Sequence, residues 1–372
     1  MTVASFAEPP KKRRKLNNSS TDRQIDQECT HCIWCEDPPT NHPVTPTTCV
    51  CDEILTKLKE SKHELIEITN AGTSSTPFEC YKLSRNDQTS SFQMDCRESQ
   101  SIDFEEISRS LNTNGIVILR NLLPPKAVMS ARRDILTKYL SEWIVFDEED
   151  PSNALNAECK ERPNGDGPSL LSSAMSILSE TESVPFILEH PLLFETASNV
   201  LGSDHVMTTR YKWLRAVPPD EFTGLHFDSM FMGLGSKQML SIWIPIGDID
   251  TDHGPLMWCY GSHRCPHWKR YLDGIGYGDP TTLSSDGTKS GWITDDTARH
   301  FKDSGNGMKD HLIWCTTDFK AGDVALFGLK LVHQTLRNDT NCYRLSCDTR
   351  WQPLCQPLDH RLKSCGVSMS KK

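Results

Sequence analysis

The sequence predicts a mainly β protein, a double-sheet β roll braced by helices, behind an N-terminal arm of low order. Three observations support this. Residues 1 to about 100 are dominated by Ser, Thr, Asn and charged side chains, with no sustained helical or strand period. Helical stretches then follow, and from Val206 onward the chain breaks into short apolar runs punctuated by Gly, Pro and Asp. Helices first and many short strands afterwards fit two packed sheets with bracing helices.

With 372 residues, the chain can bury one large core or one core plus a small appendage. Its 37% hydrophobic share is low for a wholly compact chain of this length, which agrees with an unpacked arm. A net charge of −10 argues against direct nucleic-acid binding, which needs a clustered excess of Lys and Arg. No run is long and apolar enough to span a bilayer, and the N-terminus lacks the apolar region of a secretory signal. Fifteen cysteines without framework spacing agree with an intracellular, not secreted, protein, and no membrane partner is expected. The last residues, Ser368 to Lys372, do not form a peroxisomal address.

The arm, residues 1–100, holds two features. Pro9 and Pro10 precede the basic run Lys11-Lys12-Arg13-Arg14-Lys15. An extended cationic run of this kind suits the acidic groove of a nuclear import receptor, so nuclear or nucleocytoplasmic residence is expected ahead of a merely solvating tail. The second feature is Cys29, Cys32 and Cys35, then His42, Cys49 and Cys51. Thiolates are soft ligands and could hold a structural zinc ion. The three-thiol run is too tight for a regular finger, however, and the prolines at 38, 39, 43 and 46 favour reduced, unligated thiols.

The globular unit is expected over residues 101–355, with a tail over 356–372. Gly115–Arg120 reads as a short buried strand, and Pro124-Pro125 opens a helix to about Trp143 whose Val128, Ala131, Ile135, Tyr139 and Leu140 share a face. A loop covers roughly 147–168, and a further helix runs from about Val184 to Leu201. The strand-like runs are Val206–Val217, Gly224–Phe227, Gln238–Ile246, Pro255–Cys259, Asp323–Phe327, Lys330–Leu336 and Cys342–Trp351. The segment from about Trp268 to Trp314, rich in Gly, Asp and Ser, reads as a long loop over the roll. Its Tyr271, Tyr277, Trp292, Asp295 and Asp296 are candidate pocket residues.

His226-Phe227-Asp228 carries the chemistry. On a strand, residues i and i+2 point the same way, so an imidazole and a carboxylate would enter the roll together. Such a pair needs one more histidine to complete the two-His-one-carboxylate triad of mononuclear iron(II) sites. The runs Leu331–Leu336 and Cys342–Ser346 read as a hairpin turning between Asn338 and Asp339, which would set His333 opposite Arg344. A guanidinium beside a metal ligand could grip the far carboxylate of a metal-chelating 2-oxo acid. Arg344, Ser346, Asp348 and Arg350 share one strand face, with Thr335 on the facing strand, while Leu345, Cys347 and Trp351 lie on the other. A polar inward face suggests a site; a solvated polar face over an ordinary core is the alternative. Lys212 and Arg215, just upstream, could steer an anion or form surface salt bridges. His263 and Asp323 read as turn residues, and Cys259, Cys342 and Cys347 as packed thiols.

These motifs, with Lys212-Trp-Leu-Arg215, Trp243-Ile-Pro-Ile246, Gly254-Pro-Leu, Gly261-Ser-His263 and Phe319-Lys-Ala-Gly-Asp323 in that order, resemble the phytanoyl-CoA dioxygenase-like family of Fe(II)/2-oxoglutarate-dependent oxygenases over roughly residues 103–353. The resemblance implies a double-stranded β-helix, the cupin-like jelly roll. It implies iron(II) on His226, Asp228 and His333. The 2-oxoglutarate would be held by Arg344, assisted by Thr335, lined by Trp243 and steered by Lys212. The implied reaction takes O2 and a small-molecule or lipid-like substrate, and hydroxylates an aliphatic C–H bond. A carboxylate at Asp228 favours hydroxylation over halogenation. The alternatives are a catalytically silent double-stranded β-helix acting as a nuclear binding module, and a zinc- or manganese-dependent cupin-type enzyme.

Overall fold

The computed structural model describes residues 55–56, 58–59, 63–73, 77–85, 93–96, 102–160, 174–274, 292–302, 308, 311–360, 362 and 366–369. The basic run at Lys11–Lys15, the Cys29–Cys51 group and Tyr277 lie outside the described residues. No described helix is long and apolar enough to cross a membrane.

In chain order the strands are β1 (Glu64–Ile68), β2 (Phe78–Leu83), β3 (Gln93–Asp95), β4 (Ile116–Arg120), β5 (Ile144–Val145), β6 (Glu158–Cys159), β7 (Val206–Thr209) and β8 (Trp213–Val217). They continue as β9 (Leu240–Pro245), β10 (Leu256–Cys259), β11 (Trp314–Thr317), β12 (Val324–Gly328), β13 (His333–Thr335), β14 (Arg344–Pro353) and β15 (Val367–Met369). The smaller sheet runs β1-β2-β11-β10-β13. The larger runs β15-β7-β14-β9-β12-β4-β3, with β8 also on β14. The fold is the double-stranded β-helix, mainly β with flanking helices.

Alternation along the strands sorts side chains into two cores. Val117, Leu119, Leu214, Ala216, Leu240, Ile242, Ile244, Val324, Leu326, Leu345, Cys347 and Trp351 pack outward, under the helices Phe104–Asn114, Pro125–Tyr139, Ser183–Leu188 and Pro191–Leu201. Their neighbours Ile116, Ile118, Trp243, Ala325 and Phe327 face the interior between the sheets. This explains why every residue of β14 is buried: one face meets the helices and the other meets the site.

Several expectations are corrected. The boundary near residue 100 does not hold, because β2 pairs in parallel with β11 and β3 with β4, so these strands before residue 100 belong to the sheets. The tail likewise supplies β15, paired with β7. These added strands are only three to six residues long, so no sustained apolar period marks them. The single helix expected over Val184–Leu201 is two, because Pro191 disfavours helical backbone at His190, whose φ −60° and ψ 140° are extended. Its ring Nδ1 then caps the second helix by accepting from Leu192 N–H at 3.3 Å. Val206–Val217 is also two strands. Thr208 pairs with Trp351 and Trp213 with Asp348, so Thr209–Lys212 bulge against Thr349 and Arg350. The segment 268–314 is not one long loop: it contains the helices Pro266–Gly274 and Thr297–Lys302 and enters β11. Trp268 and Phe301 from those helices pack on Trp314, covering the smaller sheet's outer face.

Below the sheets, Gly322 turns the chain at φ +103°, where a Cβ would stand 2.6 Å from the Leu123 carbonyl oxygen. Asp323 beyond it is fully buried and accepts from Arg120 Nη1 at 2.9 Å, Asn121 N–H at 3.1 Å and Lys320 N–H at 2.9 Å, with Arg85 paired outside. Arg120 is buried too, so Asp323→Ala would strand its charge. The expected loss is about 3 kcal/mol of unfolding free energy. Urea denaturation at unchanged m-value measures it; a loss below about 1 kcal/mol would contradict the assignment.

Candidate functional site

The site grows from an unusual pair of backbone contacts. His226 N–H donates to His333 O and His333 N–H to His226 O, each at 2.9 Å, so two short segments meet as one antiparallel bridge. Their rings then lie side by side, with centroids 4.3 Å apart. Each Nδ1 is 2.8–2.9 Å from a carbonyl two residues earlier in its own chain, Gly224 O for His226 and Leu331 O for His333. A carbonyl only accepts, so each Nδ1 carries the proton and each Nε2 keeps its lone pair. Asp228 brings Oδ1 to 3.9 Å from His226 Nε2. One ligand atom from each of His226, Asp228 and His333 lies within 4.8 Å of the others, all three residues being buried. It is the one such group among the described residues.

Asp228 reaches this position differently from the expected strand alternation. Its φ −64° and ψ −28° are helical, at the start of the turn Ser229–Met232. Phe227 is buried in the apolar cluster that also holds Trp258, Trp268 and Trp314. The carboxylate is held from both sides. Arg350 Nη2 donates to Oδ1 at 2.9 Å and Ser241 Oγ to Oδ2 at 2.6 Å. Burial alone would raise this carboxyl, but Arg350, the two histidines and Ser241 hold it down at about 2. Burial, reinforced by the nearby His333, lowers His226 to about 3 against the pull of Asp228, so its imidazole is neutral near pH 7.

Arg344 lies on the inward face of β14, 1% exposed. Nη1 donates to Ser346 Oγ at 3.2 Å and Nη2 to Thr335 Oγ1 at 3.3 Å, while Nε has no partner. No carboxylate forms an ion pair with it among the described residues, and burial lowers its pKa to about 9. A buried guanidinium with an orphaned donor is costly unless an anion completes it. Thr335 is itself fixed, accepting from Thr223 N–H at 2.8 Å.

Arg344 reaches β13 through Thr335, two residues beyond His333, and not as a hairpin partner of His333. β13 pairs with β10 in the smaller sheet, whereas the first half of β14 pairs with β8 and β9 in the larger. The connection crosses between sheets because Asn338 ties it to the end of β8, donating from Nδ2 to Val217 O at 3.1 Å and Cys342 O at 2.7 Å. The two residues therefore face one another across the interior. Trp243 is there as well, edge-on to Phe319 with centroids 4.8 Å apart. The alternative of a solvated polar face does not hold, since Arg344, Ser346, Asp348 and Arg350 are all buried.

Lys212 is not brought to the site. Its ammonium lies 3.1 Å from Glu189 and 2.9 Å from Thr208 Oγ1, over the Trp351 ring on the outer face. Its parity with Leu214 and Ala216 already carries this, whereas Arg215 shares parity with the inward Trp213 and Val217. Trp292 packs against Gly224, where a Cβ would come 2.3 Å from its ring, so this face of the His226 segment is closed. Tyr271 instead packs with Trp268 and Phe301 outside the smaller sheet. His263 is half-buried in a turn, with Nε2 3.1 Å from Asn112 O. Burial raises the thiol pKa values of Cys259, Cys342 and Cys347; the fully buried Cys259 and Cys347 are inert packing groups, while Cys342 is half-buried.

Ser241 is a contact to Asp228 that sequence reasoning missed, and Arg350, placed on the inward face, was given no such role. Both were signalled by parity, Ser241 two residues before Trp243 and Arg350 in line with Arg344. Arg350 is anchored by Met232 Sδ at 3.0 Å, Thr349 O at 3.3 Å and the Trp213 ring at 4.9 Å. Arg350→Gln is expected to weaken divalent-metal affinity by about 10- to 100-fold, as loss of an outer-shell partner does. Calorimetric titration with cobalt(II) measures it, and unchanged affinity would show that Arg350 does not orient Asp228.

A jelly roll in which two imidazoles with free Nε2 atoms and one carboxylate converge inside, beside an uncompensated guanidinium, defines a candidate mononuclear metal centre of the two-His-one-carboxylate type. The chain belongs to the phytanoyl-CoA dioxygenase (PhyH) family, whose sequence model matches residues 111–346. Comparison with curated proteins returns no match. Among solved structures, the chain is similar to the non-heme alpha ketoglutarate dependent epimerase SnoN from nogalamycin biosynthesis, at 17% identity and TM-score 0.42 over 67% of this chain and 80% of that one. The same epimerase in complex with Fe3+, alpha ketoglutarate and nogalamycin RO gives 16% and 0.44 over 68% and 85%. The carbocyclase SnoK from the same biosynthesis gives 14% and 0.46 over 73% and 100%.

Proposed function

We propose that this chain is an iron(II)- and 2-oxoglutarate-dependent dioxygenase that hydroxylates an aliphatic C–H bond of a small-molecule or lipid-like substrate. Its metal ligands in this reading are His226, Asp228 and His333. The observation that carries it is Arg344, a buried guanidinium without a carboxylate ion-pair partner among the described residues, set across from the triad. Two imidazole nitrogens and one carboxylate fit iron(II) and leave coordination positions for a chelating 2-oxo acid. The orphaned Nε and the Thr335 hydroxyl fit that acid's far carboxylate.

Iron(II) with 2-oxoglutarate supplies oxidative decarboxylation of the 2-oxo acid to succinate, coupled to oxidation of the substrate by O2. The residues of this chain bind and orient. The Gly224 and Leu331 carbonyls hold the imidazole tautomers, and Arg350 and Ser241 keep Asp228 ionised and aimed. Trp243, Phe319 and Phe327 make an apolar surround that excludes water. A zinc- or manganese-dependent cupin-type enzyme and a silent binding module both leave Arg344 unexplained. The nine described cysteines are free thiols, which supports residence in a reducing compartment, with Lys11–Lys15 as the candidate import signal.

The test is anaerobic titration with iron(II), then 2-oxoglutarate, following the weak visible charge-transfer band of the chelated acid. A band that appears, with succinate formed once O2 is admitted, is the expected result. Iron bound without a band would overturn the proposal.

A further inference from the structure

We infer that Arg215 is the anchor for an anionic group on the substrate, so the substrate is an organic acid or phosphate ester rather than a neutral molecule. The inference rests on the function proposed above and concerns the space that the metal and 2-oxoglutarate leave. Arg215 sits on β8 opposite Ser346 of β14, between the inward residues Trp213 and Val217. Its Nε donates to Asp348 Oδ2 at 3.0 Å, while its Nη1 and Nη2 make no hydrogen bond among the described residues. The side chain keeps 19% of its surface exposed, against 7% or less for Asp348, Arg350 and Asp228. Solvent, and therefore a ligand, reaches Arg215 more readily than those neighbours.

Charge supports the same assignment. Arg215, Arg344 and Arg350 face the interior, and Asp228 and Asp348 are the carboxylates that meet them. A divalent metal and a dianionic 2-oxo acid cancel each other when they enter, with Asp228 committed to the metal and Arg344 to the acid. Asp348 is then shared between Arg350, 3.9 Å from Oδ1, and Arg215, 3.0 Å from Oδ2. Two guanidinium groups on one carboxylate leave a positive charge in a partly dehydrated site, which a further anion would neutralise. That excess is open to a ligand only at Arg215, whose outer donors can form a two-point bond to a carboxylate or phosphate.

The test uses the full chain loaded anaerobically with manganese(II) and 2-oxoglutarate, which binds without turnover. Octanoate and octanamide, alike in shape and different in charge, are then titrated calorimetrically. The expected result is at least about tenfold tighter binding of octanoate, the worth of one charge-assisted contact. That preference should be lost in Arg215→Gln and largely kept in Arg215→Lys. Equal affinity for acid and amide, absence of binding by both included, overturns the inference, as does an undiminished preference in Arg215→Gln. If Arg215→Gln instead abolishes 2-oxoglutarate binding, Arg215 belongs to the cofactor and the inference also fails. Failure of the native protein to bind 2-oxoglutarate is a separate result, which removes the proposed function itself.

Discussion

Replacing His226 by alanine is expected to abolish divalent-metal binding while leaving the fold intact. The site offers three protein ligands, and removing one leaves a buried imidazole and carboxylate that no longer surround an ion. Loss of an outer-shell partner costs about 10- to 100-fold, so loss of a ligand should cost roughly 1,000-fold or more. The fold should survive because the two hydrogen bonds that join this segment to His333 are made by backbone atoms, which alanine keeps. The ring's neighbours Phe231 and His333 lose one contact each, a modest packing loss. Iron stoichiometry after anaerobic loading, with circular dichroism as the control for folding, measures both halves. Stoichiometric iron in a folded His226→Ala protein would remove the triad assignment.

Arg344→Met should have the second large effect, and it has two signs. With 2-oxoglutarate the variant loses a buried charge-assisted pair, so the cofactor's dissociation constant should rise by on the order of 1,000-fold, about 4 kcal/mol. Without cofactor the same variant should be slightly more stable than the native protein. The reason is the direction of the pKa: burial lowers Arg344 to about 9, so the folded state disfavours its charge at neutral pH. That cost is fully present below about pH 9 and fades as pH rises toward the unfolded value. Methionine fills a similar volume without a charge to bury. Thermal melts with and without 2-oxoglutarate, alongside the anaerobic band titration, separate the two effects. A destabilised apo variant with unaltered cofactor affinity would make Arg344 a structural residue only.

How much of this was legible beforehand differs from residue to residue. Alternation along Arg344–Trp351 distinguished the inward polar face from the outward apolar one, because side chains on a strand have no other choice. The same rule, applied to Lys212, would have removed it from the cofactor set. The ladder between His333 and Arg344 was misread because a turn-like stretch between two apolar runs looks the same whether the chain folds back or crosses to a second sheet. Asn338 makes that choice with side-chain bonds to Val217 and Cys342, contacts separated by many residues in the sequence or hidden within the loop. β1–β3 are not legible because such short strands carry little period, and β2 finds its parallel partner β11 only far along the chain.

The sequence by itself determined which atoms are available: two histidines and an aspartate in a family pattern, a lone arginine beyond them, and strands whose two faces differ. Local covalent geometry and the cost of burying the wrong face are enough for that. Only the tertiary structure decided how those atoms meet. It bridged His226 to His333 through their backbones, placed Asp228 at a helical turn, and clamped it between Arg350 and Ser241. Among the described residues it also left Arg344 without a carboxylate ion pair and Arg215 with donors to spare. Those outcomes depend on distances between strands far apart in the chain, where a shift of one residue in register would turn a ligand away from the interior.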